Sequence, residues 1–298
     1  VNGRMKEVGL MPTVELNGRP LYYETAGEGF PLIFTHEFGG SYEAWEPQMR
    51  YFSRKYMVVT WGQRGFPPTP ALEDPAAYSQ SNSVEDLFQL SKHLGVQQAH
   101  YVALSMGSNV TLEFAMTHPE LLRSLTLAGC GAGSINFEQA RPGFGQLADR
   151  IEREGMEKHA FDYASARTQY MKKDPRGWID MYERLRKFSG VGRANTLRGV
   201  QMKRPSIFEL ENELKQIAIP TLIIVGDEDG ACVEPSLFMQ KHIPNNGMVM
   251  FPKTGHTVNL EEPELFNATL QNFLTAVEQG AWRARSEEPK LPIPAPTF

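Results

Sequence analysis

The chain has 298 residues, 41% hydrophobic and 22% charged, with a formal net charge of −5. That length can bury a substantial core in one large domain or two smaller ones, and the composition is that of an ordinary globular protein. The acidic balance gives no case for nucleic-acid binding, which usually leaves a basic footprint, and no apolar run approaches the roughly 20 residues of a membrane helix.

The opening residues, Val1 to Glu7, lack the long apolar core of a signal peptide, and regular structure is expected from about Pro12. Thr13–Leu16 and Leu21–Glu24 flank Asn17-Gly18-Arg19-Pro20, a hairpin signal built on Asn-Gly. Pro31–Thr35 is a short apolar run, as expected of a strand covered on both faces. It ends in the glycine-rich loop His36-Glu37-Phe38-Gly39-Gly40-Ser41. The spacing of Ala44, Trp45, Met49 and Phe52 predicts a helix, and Met57–Thr60 a strand that closes on Gln63-Arg64-Gly65 and a Pro-Pro turn. Ser83 to Leu94 reads as a helix with Ser83 and Asp86 spaced as an N-terminal cap pair. A strand at Ala99–Leu104, a helix from Asn109 to Thr117 and a strand at Ser124–Ala128 follow. Strands alternating with helices at these spacings predict an α/β fold, with crossover helices on a mostly parallel sheet. In such sheets the ligand site lies at the C-terminal strand ends.

The alternation then stops. From Ser134 to Ile217 the periodicity is helical throughout, interrupted at Gly143, Gly145, Asp174-Pro175 and Gly190–Gly192. This predicts a helical insertion after the sixth strand, dividing a core of residues 1–133 and 218–280 from a cap of residues 134–217. The insertion carries 16 Lys and Arg against 12 Asp and Glu, while the remainder carries 14 against 23. A basic cap on an acidic base would favour anionic or carbonyl-rich substrates, although a solvated charged face is the plainer account. Strands return at Pro220–Val225 and Met248–Phe251, and a helix at Pro263–Val277 closes the pattern. Residues 281–298 are proline-rich and read as an extended tail.

Three reactive residues fall where strands end. Ser105 sits between an apolar run and a helix, with the small residues Ala103 and Gly107 two positions to either side. This is the pattern of a sharp strand-turn-helix elbow whose central residue is strained, although serine is also a common helix N-cap. Asp229 follows the strand at Pro220–Val225, and His256 the strand at Met248–Phe251. A serine hydroxyl needs a base to take its proton, which a histidine can do. A carboxylate behind the histidine fixes its tautomer. The order Ser…Asp…His suits a triad on this kind of sheet. Asp227 is the rival acid, two residues nearer the strand. Cys130 and Cys232 are too few for a disulfide framework and sit in no metal-ligand pattern, so free thiols in a cytoplasmic protein are expected. No nucleotide-binding glycine fingerprint appears, and no cofactor or metal is implied.

From about Thr13 to Val277 the chain resembles the α/β-hydrolase superfamily. The matching pieces are the loop His36–Ser41, the turn Gln63-Arg64-Gly65, the elbow Ala103-Leu104-Ser105-Met106-Gly107, the stretch Gly226-Asp227-Glu228-Asp229, and Gly255-His256 with Leu260-Glu261-Glu262-Pro263. The resemblance implies Ser105 as nucleophile, Asp229 as acid, His256 as base, and the backbone N–H groups of Phe38 and Met106 as oxyanion hole. It also implies that the insertion roofs the pocket. His36 is expected to be structural. Two departures stand out. Glu37 occupies a position where glycine is usual, and its carboxylate is expected to face away, into a hydrogen bond or solvent. Gly62 replaces a common aspartate, which would leave Arg64 without its usual partner.

A serine triad supports acyl transfer to water. Serine at position 105 argues against halide release and epoxide opening, which need a carboxylate nucleophile there. Leu104 stands where relatives that cleave C–C bonds often carry asparagine. The expected activity is therefore hydrolysis of a small carboxylic ester. Lactone, enol-lactone or C–C cleavage is the alternative, and a receptor-like binding protein on the same fold is the rival from another class. The expected partner is a small ester or lactone, with neither nucleic acid nor membrane; a homo-oligomer is compatible with the sequence.

Overall fold

A computed structural model describes residues 13–284. The predicted start before Thr13 and most of the proline-rich tail lie outside the described residues. Eight strands form one sheet in the order β1-β2-β4-β3-β5-β6-β7-β8. They are β1 Thr13–Leu16, β2 Arg19–Ala26, β3 Phe30–Thr35, β4 Tyr56–Trp61, β5 Ala99–Leu104, β6 Leu122–Ala128, β7 Thr221–Gly226 and β8 Asn246–Phe251. The first two strands pair antiparallel through a two-residue turn in which Asn17 and Gly18 both take positive φ, as the Asn-Gly signal requires. β3 to β8 run parallel. Every residue of β5 and β7 is buried, which is why those strands are continuous apolar runs rather than alternating ones.

Helices cover both faces. On one lie α2 (Gln80–His93) and α3 (Met106–Thr117), whose Leu87, Leu90, Val110 and Phe114 join Ile33, Tyr101 and Leu125 of the sheet. On the other lie α1 (Glu46–Phe52) and a C-terminal helix at Pro263–Glu278, packed on Leu32, Phe34, Val102 and Ile224. The α2 helix starts earlier than its sequence suggested. Ser79, not Ser83, caps it, accepting from Asn82 N at 3.0 Å. Asp86 has a different partner, described below.

Between β6 and β7 the described chain is helical, with no strand. Here α4 (Phe137–Ser165), α5 (Thr168–Lys173), α6 (Pro175–Leu185) and α7 (Gly190–Thr196) pack together, and the short α8 (Glu211–Leu214) leads back toward β7. Gly143 and Gly145 do not break α4, contrary to expectation; the kink comes at Gly155, whose φ of 82° is outside the helical range. Asp174-Pro175 does separate two helices, with the Asp174 carboxylate accepting from Gly177 N at 2.8 Å. Phe38, Phe66 and Met106 of the sheet layer share an apolar cluster with Ala148, Ile151, Leu185 and Leu197 of the insert. The insert therefore rests on the strand-end loops. After β7 come α9 (Gly230–His242), α10 (Val258–Glu261) and α11, the Pro263–Glu278 helix. The described start of the tail is not free, because the Trp282 ring packs edge-on against Phe273 at 4.7 Å. No helix among the described residues is long and apolar enough to cross a membrane.

Candidate active site

The turn from β5 into α3 places Ser105 at φ 54°, ψ −114°. A positive φ is unusual for a residue with a Cβ, and here the surroundings enforce it. Ser105 N donates to Ala128 O at 2.8 Å, and the Ser108 hydroxyl donates to the same carbonyl at 2.9 Å. Position 107 must be glycine because a Cβ there would come within 2.6 Å of His36 O. The first turn of α3 thus presses against the end of β3. Ser105 occupies the N-cap position but makes no capping hydrogen bond. Its hydroxyl turns instead to His256, with Oγ 2.8 Å from Nε2.

His256 lies in the loop after β8, and the Glu261 carboxylate holds that loop on both sides of it. Glu261 accepts from Gly255 N at 2.6 Å and from Thr257 N at 3.1 Å. On the far side of the ring, Nδ1 is 2.7 Å from Asp229 Oδ2. Asp229 is buried, and burial pushes its carboxyl up; the charge and hydrogen bond of His256 outweigh that and hold it below the ordinary value. Asp227, the rival acid, is exposed and accepts from Thr254 N at 3.1 Å, so it braces the loop rather than the histidine. The structure therefore brings Ser105, His256 and Asp229 into one hydrogen-bonded line and leaves Asp227 outside it.

Phe38 and Met106 line the same cavity as Ser105. Met106 opens α3, where backbone N–H groups have no intrahelical acceptor. The Phe38 N–H belongs to the Glu37–Phe38 peptide, whose carbonyl oxygen is tied down by His36 Nδ1 at 2.7 Å and Gly40 N at 3.2 Å. His36 is fully buried, and burial lowers its pKa to about 4, so the ring is neutral. Its Nε2 accepts from Gln63 N at 3.0 Å, which leaves the proton on Nδ1 to be donated to Glu37 O. The structural role expected of His36 is thus to orient the peptide that carries the Phe38 N–H.

Of the two departures from the family pattern, Glu37 points as expected and Arg64 does not lack a partner. Glu37 does face away from the cavity, but into the interior rather than into solvent. It is 1% exposed, and its Oε2 has no hydrogen-bond partner. Its side chain folds over Gly40, where a Cβ would collide with the carboxylate. Burial raises its pKa, which holds the group toward its neutral form. Asp86 of α2 binds Arg64 in a fork, with Nε–Oδ2 at 2.5 Å and Nη2–Oδ1 at 2.7 Å, and Nη1 donates to Ala77 O at 2.6 Å.

Several residues at the site were not singled out in the sequence. Arg193 of α7 is completely buried, its guanidinium 3.5 Å from the centre of the Phe38 ring. It donates to Phe38 O, and to His159 Nε2 at 3.1 Å. Burial lowers its pKa to about 9, which still leaves it charged at neutral pH. Arg204 is also buried and donates to Asn109 Oδ1, Gln201 Oε1 and Ala132 O. Arginine in an amphipathic helix normally reads as a solvated face, and only the small neighbours Gly190, Gly192 and Ala194 hint that this stretch of α7 packs closely. Asp229, Cys232 and His256 offer ligand atoms within 4.8 Å of one another, the one such metal-ligand group found among the described residues. Burial pushes the Cys232 thiol well up, and it donates to Gly129 O at 3.2 Å. A protonated thiol is a poor ligand, and His256 Nδ1 already faces Asp229, so the group suits proton transfer better than metal binding.

The cavity that exposes Ser105 and His256 has a volume of about 420 Å³. The sheet side supplies its floor, and Phe144, Leu147, Tyr163 and Leu197 of the insert supply its apolar wall. Residues 31–263 match the family model for the alpha/beta hydrolase fold. The chain belongs to that family. It is 28% identical over 269 residues to the putative 2-succinyl-6-hydroxy-2,4-cyclohexadiene-1-carboxylate synthase of Bacillus subtilis, a match covering 86% of this chain and 95% of that protein. It is 26% identical over 282 residues to 3-oxoadipate enol-lactonase 1 of Acinetobacter baylyi, covering 92% of this chain and all of the relative. Among solved structures, the enol-lactonase from Burkholderia xenovorans superposes with a TM-score of 0.78 at 23% identity, covering 89% of this chain and 100% of that one. The expected α/β-hydrolase fold, a mostly parallel sheet flanked by helices, is therefore established, and the protein's relatives include hydrolases of this superfamily.

Proposed function

We propose that the protein is a serine hydrolase that cleaves a small carboxylic ester through an acyl-enzyme. The observation that carries this reading is the line Ser105 Oγ–His256 Nε2–Nδ1–Asp229 Oδ2, at 2.8 and 2.7 Å, built on a strained elbow beside a cavity. His256 Nε2 takes the Ser105 proton as Oγ adds to the substrate carbonyl. The carbonyl oxygen, now negative, accepts hydrogen bonds from the N–H groups of Phe38 and Met106. The bond to the leaving alkoxide breaks, and Nε2 gives its proton to that oxygen. Water then yields a proton to Nε2 while its oxygen adds to the acyl carbon. Collapse releases the carboxylic acid and returns the proton to Ser105. The chain's own groups account for every step, so the mechanism calls on no cofactor. In this reading the insert of residues 134–217 is the cap.

A lactone is the second reading, favoured by the enol-lactonase among the relatives, which matches over nearly the whole of this chain. Ring opening would use the same groups, the leaving alkoxide staying attached to the acyl chain. Treatment with a fluorophosphonate tests both readings against a binding-protein role. Stoichiometric labelling of the wild type, absent from Ser105→Ala, is the expected result; a folded wild type that takes up no label would sink the hydrolase reading.

A further inference from the structure

The insert's excess of basic residues does not, for the most part, face the cavity. Arg198 is paired with Asp149 and Glu152, Arg186 with Glu157 and Glu183, and Lys173 with Glu262, all at the surface. Two arginines line the Ser105 cavity, and they differ in one respect. Arg204 is saturated by side-chain and backbone oxygens. Arg167 is not. Its guanidinium lies 4.1 Å from the centre of the Tyr163 ring, no carboxylate pairs with it among the described residues, and its buried Nε has no hydrogen-bond partner.

Arg167 also stands at a particular place. It and His256 both line the Ser105 cavity and a second, adjoining chamber of about 390 Å³. The second chamber carries Glu228, Asp229 and Glu261, which repel an anion. The Ser105 cavity carries two arginines and no carboxylate. A buried guanidinium donor without an acceptor is costly, and the planar fork of arginine suits a carboxylate above other groups. Stacking on Tyr163 holds the plane of that fork without using its donors.

We infer that Arg167 is a specificity-determining residue that receives a carboxylate of the substrate, so that the ester or lactone cleaved carries a second, free carboxylate near its reacting carbonyl. This rests on the serine-hydrolase reading and narrows its substrate class. A charge-assisted pair of this kind changes apparent affinity by roughly 10- to 100-fold, and the effect falls on KM because the carboxylate is bound alike before and during the reaction.

Two matched pairs of activated esters test it. One is mono-p-nitrophenyl glutarate against its methyl ester, with the charge on the acyl side. The other is 4-acetoxybenzoate against its methyl ester, with the charge on the leaving group. The expected result is a preference of about tenfold or more in kcat/KM for the charged member of at least one pair. Arg167→Gln should remove that preference and Arg167→Lys should keep part of it. Arg167 also acts electrostatically on Asp229 and Glu37, so a general loss of rate is expected to hit both members equally; the ratio within a pair isolates recognition. Turnover of both pairs without preference, or a preference that Arg167→Gln leaves intact, overturns the anion site while leaving the hydrolase reading in place. No turnover of any ester, with no fluorophosphonate labelling of Ser105, overturns both.

Discussion

Replacing Asp229 by asparagine tests the proton path at its least exposed point. The carboxylate oxygen lies 2.7 Å from His256 Nδ1, Asp229 is buried, and Glu261 holds the loop that carries His256. When Ser105 gives up its proton, the imidazole becomes a cation about 4 Å from the centre of the carboxylate charge. At an effective dielectric near 20, that attraction is worth roughly 4 kcal/mol, or about a thousandfold in rate. Asparagine removes this charge, and its amide can donate toward Nδ1, which would put the imidazole proton on Nε2, where it cannot accept from serine. The two losses together predict a fall in kcat of about 10³- to 10⁴-fold with KM little changed. Asp227→Asn keeps an acceptor for Thr254 N and removes a charge from an exposed loop outside the Ser105–His256–Asp229 line, so its kcat should stay within about threefold. The assay is release of p-nitrophenolate from an activated ester under saturating substrate, alongside the rate of fluorophosphonate labelling. If Asp229→Asn keeps more than about a tenth of wild-type kcat, or if Asp227→Asn is the worse of the two, the assignment of the acid is wrong.

Two further predictions concern the buried charges around the site. Asp86→Ala leaves the Arg64 guanidinium buried and unpaired, which should cost about 3–5 kcal/mol in chemical denaturation. The double variant Arg64→Met/Asp86→Leu should recover most of that; a single variant within about 1 kcal/mol of wild type would show that the fork contributes little. Glu37→Gln should leave turnover nearly unchanged and stabilise the fold at neutral pH. The folded-state pKa of Glu37 is raised by burial, so its ionisation in the unfolded chain pulls against folding as pH climbs above the ordinary glutamate value. The variant's advantage, of about 2 °C or more at neutral pH, should therefore vanish near pH 4. A gain that is independent of pH, measured by thermal melts across that range, would contradict the burial argument.

The parts of this site that the sequence made legible are those where a local constraint and a chemical role coincide. The elbow is one, because a residue at positive φ with a helix pressed against β3 demands small neighbours, and Ala103 and Gly107 are visible without a fold. Asp229 and His256 are others, because each follows a buried apolar strand whose end is plain. What could not be read is pairing at a distance. Asp86 lies 22 residues from Arg64, and its spacing from Ser83 looks like a helix cap, so nothing local marks it as half of a buried ion pair. The helix boundary is hidden for a separate reason, since Ser79 caps it without an acidic partner three residues on. Gly143 and Gly145 look like breaks, yet glycine only weakens a helix, and α4 continues through both to the kink at Gly155. Glu37 defeats a sequence reading because nothing local marks a carboxyl that will be buried with one of its oxygens left without a hydrogen bond.

The hidden arginine of α7 adds a link between recognition and chemistry. The loop that carries the Phe38 N–H is gripped from the sheet by His36, through the Glu37 carbonyl, and from the insert by Arg193, through the Phe38 carbonyl. The two carbonyls belong to successive peptides, so the plane of the first is fixed by the core while the plane of the second follows the insert. Arg193 reaches that carbonyl through a contact with the Phe38 ring itself and leans on His159 of α4. Burial lowers the pKa of His159 to about 3, so the ring is neutral and its Nε2 is an acceptor for the guanidinium rather than a rival charge. A shift of α7 or α4 would thus reach the Phe38–Gly39 peptide through one rigid, fully desolvated side chain. Because the same insert lines the cavity, the apolar wall beside Ser105 and the aim of the Phe38 N–H depend on a single set of contacts. On that geometry the insert helps hold the loop on which the proposed oxyanion donor sits.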